Sequence, residues 1–175
     1  MKSLTSLKAK NLFSKTCLLR VDFNIEEGKS IERSPRFVSA VNTIKFLNNH
    51  GAKVVILSHR GRPKNNRQQI TNNLQLSLKP FVTNLSKILK KQVQFAKLND
   101  KNLKEKIRES KPESVFMLEN LRFYPGEDKN DKNFAKKIAG LGDFYVNDAF
   151  AFSHRKTASM AAITNFLPSY AGPNL

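Results

Sequence analysis

The chain is predicted to fold as a three-layer αβα domain around a mostly parallel sheet. Two features of the sequence predict it. From Thr16 onward, short apolar runs alternate with longer stretches of helical periodicity, the order of linked βαβ units. The runs Val54-Val55-Ile56-Leu57 and Val115-Phe116-Met117-Leu118 carry no polar alternation, which suits buried strands, the second of them covered on both faces.

The first strand is expected at Cys17-Leu18-Leu19-Arg20-Val21-Asp22-Phe23, followed by a turn through Glu26-Glu27-Gly28. Ser34-Pro35 pairs a capping residue with a first-turn proline, so a helix should begin there. Phe37, Val41, Ile44 and Leu47 keep one helical face, and Gly51 ends it. Lys53 to Ser58 gives the second strand. The polar, aperiodic stretch from Asn65 to Asn73 reads as a surface loop. Leu78, Val82, Leu85 and Leu89 mark a second helix, Val93-Gln94-Phe95-Ala96 a third strand, and Asp100 to Glu109 a short charged helix. Ser114 to Leu118 is the fourth strand, Phe134 to Ala139 a helix closed by Gly140, and Asp143 to Asn147 the fifth strand. Phe13, Phe81, Phe95 and Phe116 fall in apolar stripes and are expected in the core. Residues 1–167 are taken as one domain, and the Pro- and Gly-rich stretch 168–175 as the start of a linker.

A chain of 175 residues with 39% hydrophobic and 26% charged residues suits one domain with a real core. The net charge of +17 calls for anionic partners, although much of it is lysine spread over solvated helix faces. Cys17 is the single cysteine, which removes any disulfide framework and fits a reducing compartment. The N-terminal residues never build the apolar run of a signal peptide or membrane span, so a cytoplasmic protein is expected.

Ligands of open parallel sheets bind beyond the carboxyl ends of the strands. In this chain those ends carry Arg20, Asp22 and Asn24; His59 and Arg62; Glu119 and Arg122; and Asn147 and Asp148, with His154 and Arg155 just beyond. Arg36, in the first turn of the first helix, faces the same rim. Arginine offers a planar fork that fits carboxylate or phosphate oxygens in pairs. Each charge-assisted bond contributes about 1.5–3 kcal/mol, so three or four could hold a compact polyanion. Pairing all these arginines structurally would draw heavily on the 14 acidic residues of the whole chain. Arg20 and Asp22, alternate residues on one strand, could instead pair with each other. No glycine-rich phosphate loop is present, Gly140-Leu141-Gly142 reads as a helix end, and no metal-ligand cluster is visible.

Five blocks now carry a resemblance: Arg20-Val21-Asp22-Phe23-Asn24; Gly51 to His59 with Gly61-Arg62-Pro63; Ser77-Leu78-Lys79-Pro80; Leu118-Glu119-Asn120-Leu121-Arg122-Phe123; and Tyr145-Val146-Asn147-Asp148-Ala149-Phe150. In this order they resemble the N-terminal, phosphoglycerate-binding domain of the phosphoglycerate kinase family over nearly the whole chain. The resemblance implies a Rossmann-like sheet and glycolytic phosphoryl transfer between 1,3-bisphosphoglycerate and Mg-ADP, giving 3-phosphoglycerate and ATP. It implies that Asp22, Asn24, Arg36, His59, Arg62, Arg122 and Arg155 bind phosphoglycerate, with Arg20 and His154 in the same basic patch and Arg36 as the catalytic candidate. Arg60 is expected to be a bystander.

The resemblance also implies a second, nucleotide-binding half that these residues do not supply. The chain alone is therefore expected to be a monomeric half-enzyme without turnover, and the loss of a returning segment to expose apolar surface. After the fifth strand, Ala151, Phe152 and Thr157 depart from the family's pattern of glycine, threonine and histidine. The rival reading is a non-catalytic module that contacts nucleic acid or another polyanion by charge alone.

Overall fold

The computed structural model describes residues 2–6, 12–25, 30–63, 75–150 and 155–174. Seven strands form one sheet: β1 (Lys2–Ser3), β2 (Thr16–Arg20), β3 (Lys53–Leu57), β4 (Val93–Ala96), β5 (Val115–Leu118), β6 (Phe144–Asn147) and β7 (Ser169–Ala171). Their spatial order is β1-β7-β6-β2-β3-β5-β4, and every pairing is parallel. The helices are α1 (Pro35–Asn49), α2 (Lys79–Leu89), α3 (Leu103–Glu109), α4 (Pro125–Asp128) and α5 (Lys132–Ala139).

Alternation along the strands sorts the core into two layers. Cys17, Leu19, Val54, Ile56, Val115, Met117 and Val146 point to one face, where Phe37, Val41, Ile44 and Leu47 of α1 and Phe81 and Leu85 of α2 cover them. Leu18, Val55, Leu57, Phe116, Leu118 and Tyr145 point to the other, under Leu103 and Ile107 of α3 and Ala135 and Ile138 of α5. A sheet clad on both sides needs apolar strands, and β5 throughout and β3 from Val54 onward supply them, while buried Lys53 spends its ammonium on the carbonyls of Ile107 and Arg108.

Caps and turns follow the sequence with some exceptions. Ser34 stands at the N-cap of α1, but its side chain makes no capping bond; Pro35 supplies the preset first turn. Gly51 takes φ 75°, the left-handed conformation that lets the chain leave α1 for β3. Asp131 caps α5 by accepting from the Phe134 amide at 2.7 Å.

Two expectations change. Phe13 is 64% exposed, because its ring lies across Gly51 rather than under a helix; Phe81 and Phe116 are fully buried, and Phe95 packs at the margin of the core. Two strands at one side of the sheet, the edge strand β1 and its neighbour β7, were not read from the sequence. β1 is only Lys2-Ser3, and Ser169-Tyr170-Ala171, within the stretch read as a linker, pairs with both β6 and β1. The expected turn at Glu26-Glu27-Gly28 and the whole loop from Asn65 to Asn73 lie outside the described residues. Among the described residues, no helix is long and apolar enough to cross a membrane.

Candidate functional site

The carboxyl ends of β2, β3 and β5 run into three loops that are tied to one another through backbone groups. Gly61 is their meeting point. Its amide donates to Asn24 Oδ1 at 2.8 Å, and its carbonyl accepts from Arg122 Nη1 at 2.7 Å. Gly61 has φ 62°, a conformation that costs an L side chain about 1–2 kcal/mol, and a Cβ there would collide with Leu76 Cδ2. Asn120 adds bonds from Nδ2 to the carbonyls of Arg60 (2.7 Å) and Leu76 (3.0 Å). Glu119 turns inward and accepts from the Leu78 amide at 3.0 Å and the Ser77 hydroxyl at 2.8 Å, placing a carboxylate at the start of α2 where the helix dipole favours it.

His59 sits at the centre of the rim, 1% exposed. Arg20 Nη2 meets its Nδ1 at 2.6 Å. Burial, then the charges of Arg20, Arg122, Arg155 and Arg36, lower its pKa to about 2, so the imidazole is neutral at physiological pH. Arginine can only donate, so Nδ1 is the acceptor and the ring proton resides on Nε2. Arg20 itself is buried at 2% exposure, its Nε and Nη1 donors directed to Ser159 Oγ and to the carbonyls of Val21 and Leu57. It therefore belongs to the wall behind His59 rather than to an exposed basic patch.

Asp22 pairs with Arg36 and not with Arg20. Its Oδ2 lies 2.9 Å from Arg36 Nη1, a close charge pair whose angles fall outside hydrogen-bond geometry, while Oδ1 accepts from the Asn24 amide at 2.9 Å. Arg36 Nη1 also donates to the Asn24 carbonyl at 3.0 Å. These contacts hold one edge of a guanidinium that remains 47% exposed. A cavity of about 560 Å³ opens beside it, lined by Asn24, Ser30, Arg33, Ser34 and Arg36. A smaller one of about 240 Å³, also bordered by Arg36, is lined by Asp22, Asp148, Phe150 and Asn174, with Phe150 68% exposed.

Arg122 is 8% exposed, with Nε 3.3 Å from Asp128 Oδ1. Burial lowers its pKa, and Asp128 opposes that shift. Arg155 is half-buried, and its charge acts on both His59 and Arg122. Arg62 is exposed on the loop after β3. Thus Asp22, Asn24, Arg36, His59, Arg122 and Arg155 share one rim, with Arg20 beneath it. His154, Ala151 and Phe152 lie outside the described residues. Thr157 is 9% exposed, and its hydroxyl meets no hydrogen-bond partner among the described residues. Arg60 donates to the carbonyls of Ile25 and Gln75 and stacks 5.8 Å over the Phe81 ring, ties that make it structural.

Sequence reasoning missed the supports. Ser58 Oγ donates to the Val21 carbonyl at 2.9 Å and accepts from the Phe23 amide at 3.0 Å, locking β2 to β3. Ser159 and Glu127, both buried, back Arg20. Asp148 accepts from Thr43 Oγ1 at 2.6 Å and from the Asn174 amide and side chain, and burial raises its pKa. No motif marks Ser159 or Glu127, and the runs that contain Ser58 and Asp148 do not show their roles, because each finds its partner far along the chain.

Comparison with known proteins gives a consistent result. The profile of the family described as phosphoglycerate kinase matches residues 7–175. Phosphoglycerate kinase of Wolbachia pipientis subsp. Culex pipiens (strain wPip) is 44% identical over 98% of this chain and 42% of its own length. That of Orientia tsutsugamushi (strain Ikeda) is 46% identical over 90% of this chain and 38% of its own. The crystal structure of the Pyrococcus horikoshii OT3 enzyme superposes with a TM-score of 0.81 at 32% identity, covering 99% of this chain and 43% of that one. The chain therefore spans about two fifths of the length of the relatives it matches.

Proposed function

This chain belongs to the phosphoglycerate kinase family, and from that premise we propose that it forms the 3-phosphoglycerate-binding half of an enzyme moving a phosphoryl group between 1,3-bisphosphoglycerate and Mg-ADP. The observation that carries the reading is that four guanidinium groups, from Arg20, Arg36, Arg122 and Arg155, all act on the single buried imidazole of His59. Such a concentration of positive charge at strand ends favours a small, multiply charged anion.

The residue types suit the chemistry. In the ATP-consuming direction the acceptor is a carboxylate, ionised at neutral pH, so no general base is required. Catalysis then consists of positioning and charge stabilisation. Arg36, held along one edge by Asp22 and Asn24 and open along the other, is assigned to the transferring phosphoryl group. Asn24, His59, Arg62, Arg122 and Arg155 are assigned to the substrate's carboxylate, hydroxyl and fixed phosphate. Asp22 orients Arg36.

Mg-ADP or Mg-ATP is assigned to a second half of the enzyme, a reading supported by the chain's covering about two fifths of the length of its relatives.

Calorimetric titration with 3-phosphoglycerate tests the reading. Binding at moderate salt, weakened by Arg36→Ala, is expected. Binding of oligonucleotides alone, with steep salt dependence, would overturn it in favour of a general polyanion module.

A further inference from the structure

Behind the rim lies a chain of buried polar groups that does not reach the cavity. Glu127, 1% exposed, accepts through Oε1 from Ser159 Oγ at 2.6 Å and through Oε2 from the Ser159 amide at 3.0 Å. Ser159, 0% exposed, directs its hydroxyl proton to Glu127, which leaves its oxygen to accept from Arg20 Nε at 3.1 Å. Tyr145 closes the unit by donating to the Ser159 carbonyl at 2.8 Å. Burial raises the Tyr145 pKa, so this donor persists through the whole physiological range.

The guanidinium of Arg20 is planar and rigid, so its direction is set once two of its edges are fixed. Ser159 fixes the Nε edge, and the carbonyls of Val21 and Leu57 fix Nη1. With the plane so fixed, one of the two Nη2 donors is directed at His59 Nδ1. A neutral imidazole donates from one nitrogen and accepts at the other, and an occupied acceptor decides which is which.

We infer that Glu127 and Ser159 are positioning residues of the anion site, acting through Arg20 to keep the proton of His59 on Nε2. In that tautomer the ring's polar hydrogen sits on the nitrogen away from Arg20, which is the polarity an anion site requires. In the other, His59 would turn a lone pair towards negative charge, and Arg20 would face a second donor. The purpose given to the relay rests on the reading of the rim as a phosphoglycerate site, but the relay itself is a property of the protein without ligand.

The experiment is a long-range proton–nitrogen correlation spectrum of the uniformly 15N-labelled 175-residue chain at neutral pH, without ligand. The wild type is expected to show His59 as a single tautomer, Nδ1 in the unprotonated range and Nε2 in the protonated range. Ser159→Ala and Glu127→Gln, each shown by its amide spectrum to be folded, should bring the two nitrogen shifts towards each other as the tautomers mix. They should also weaken 3-phosphoglycerate binding about tenfold, the equivalent of one charge-assisted hydrogen bond. Nitrogen shifts unmoved in both folded variants would overturn the inference. Should neither variant fold, the wild-type spectrum alone still decides: a proton on Nδ1 excludes the relay. A locked Nε2 tautomer in a chain that does not bind 3-phosphoglycerate would support the relay and overturn the phosphoglycerate reading instead.

Discussion

Asp22 and Arg36 meet at 2.9 Å, Oδ2 to Nη1, and tie the end of β2 to the first turn of α1. The pair is unequal: Asp22 is 7% exposed and Arg36 is 47% exposed. Solvent screens an ion pair with one such exposed partner, so Asp22→Asn should change folding stability by less than about 1 kcal/mol. Its effect should appear in binding, because a released Arg36 must be ordered again by the ligand. Thermal unfolding together with a 3-phosphoglycerate titration separates the two effects, and a large loss of stability with unchanged affinity would contradict this assignment.

Arg36→Ala should weaken 3-phosphoglycerate binding by about 1.5–3 kcal/mol, roughly tenfold to more than a hundredfold, with the fold intact. Arg36→Lys should recover little of it, since a lysine cannot hold Asp22 and Asn24 with one edge and an anion with the other. Full recovery by lysine would mean that Arg36 acts only as a point charge.

His59 predicts an acid dependence of stability. Its folded pKa of about 2 lies below the unfolded value near 6.5, so the unfolded chain takes up the proton first. The contribution is fully present above pH 6.5 and is lost as pH falls, by about 1.4 kcal/mol per unit, or about 2.7 kcal/mol by pH 4.5. Against His59→Gln, the wild type's stability advantage at neutral pH should shrink by that amount in urea titrations at the two pH values. A constant difference would show that the imidazole is not held neutral by its surroundings.

Gly61→Ala should destabilise the chain by about 1–2 kcal/mol through its positive φ alone. The same change should weaken anion binding, because Asn24 and Arg122 are both anchored on that residue's backbone. Gly51→Ala is the control. It shares the positive φ but lies at the far end of β3, so it should lower stability without changing affinity in a paired melting and titration experiment.

Phe81→Ala should cost about 3–5 kcal/mol. Its ring is fully buried, stacked on Phe23 with centroids 5.0 Å apart and tilted against Phe37 at 6.3 Å. A chemical denaturation midpoint close to the wild type's would mean that this aromatic cluster is not the keystone of its layer.

The central sheet was legible because its strands are apolar on both faces and separated by helices with clear periodicity. β3, β5 and the intervening helices fall within a few residues of expectation. One edge, β4, was read at its observed bounds, but the two strands at the opposite side were not legible. Lys2-Ser3 and Ser169-Tyr170-Ala171 have little strand character of their own, and pairing with a distant neighbour makes them strands. Phe13 misled for the related reason that an apolar residue beside a strand can serve as a cover for a glycine turn instead of a core side chain. The rim itself was readable from the polar residues at the carboxyl end of each strand, but the division of labour within it was not. Arg20 looked like another surface cation, yet its burial depends on a serine 139 residues away. Asp22 found Arg36 in place of its strand neighbour because α1 brings a guanidinium closer than the strand does.

The pairing of Lys2 with Tyr170 sets an order of events during synthesis. At about 5–20 residues per second, a ribosome needs roughly ten to thirty seconds to travel from β1 to β7, its neighbour in the sheet. Through that interval β2, β3, β5 and β6 can come together, while β1 has no strand to lie against. The earliest-made strand of the sheet is therefore among the last to dock, and a nascent chain stalled before residue 169 would keep β1 accessible to proteases and chaperones after the centre of the sheet had closed.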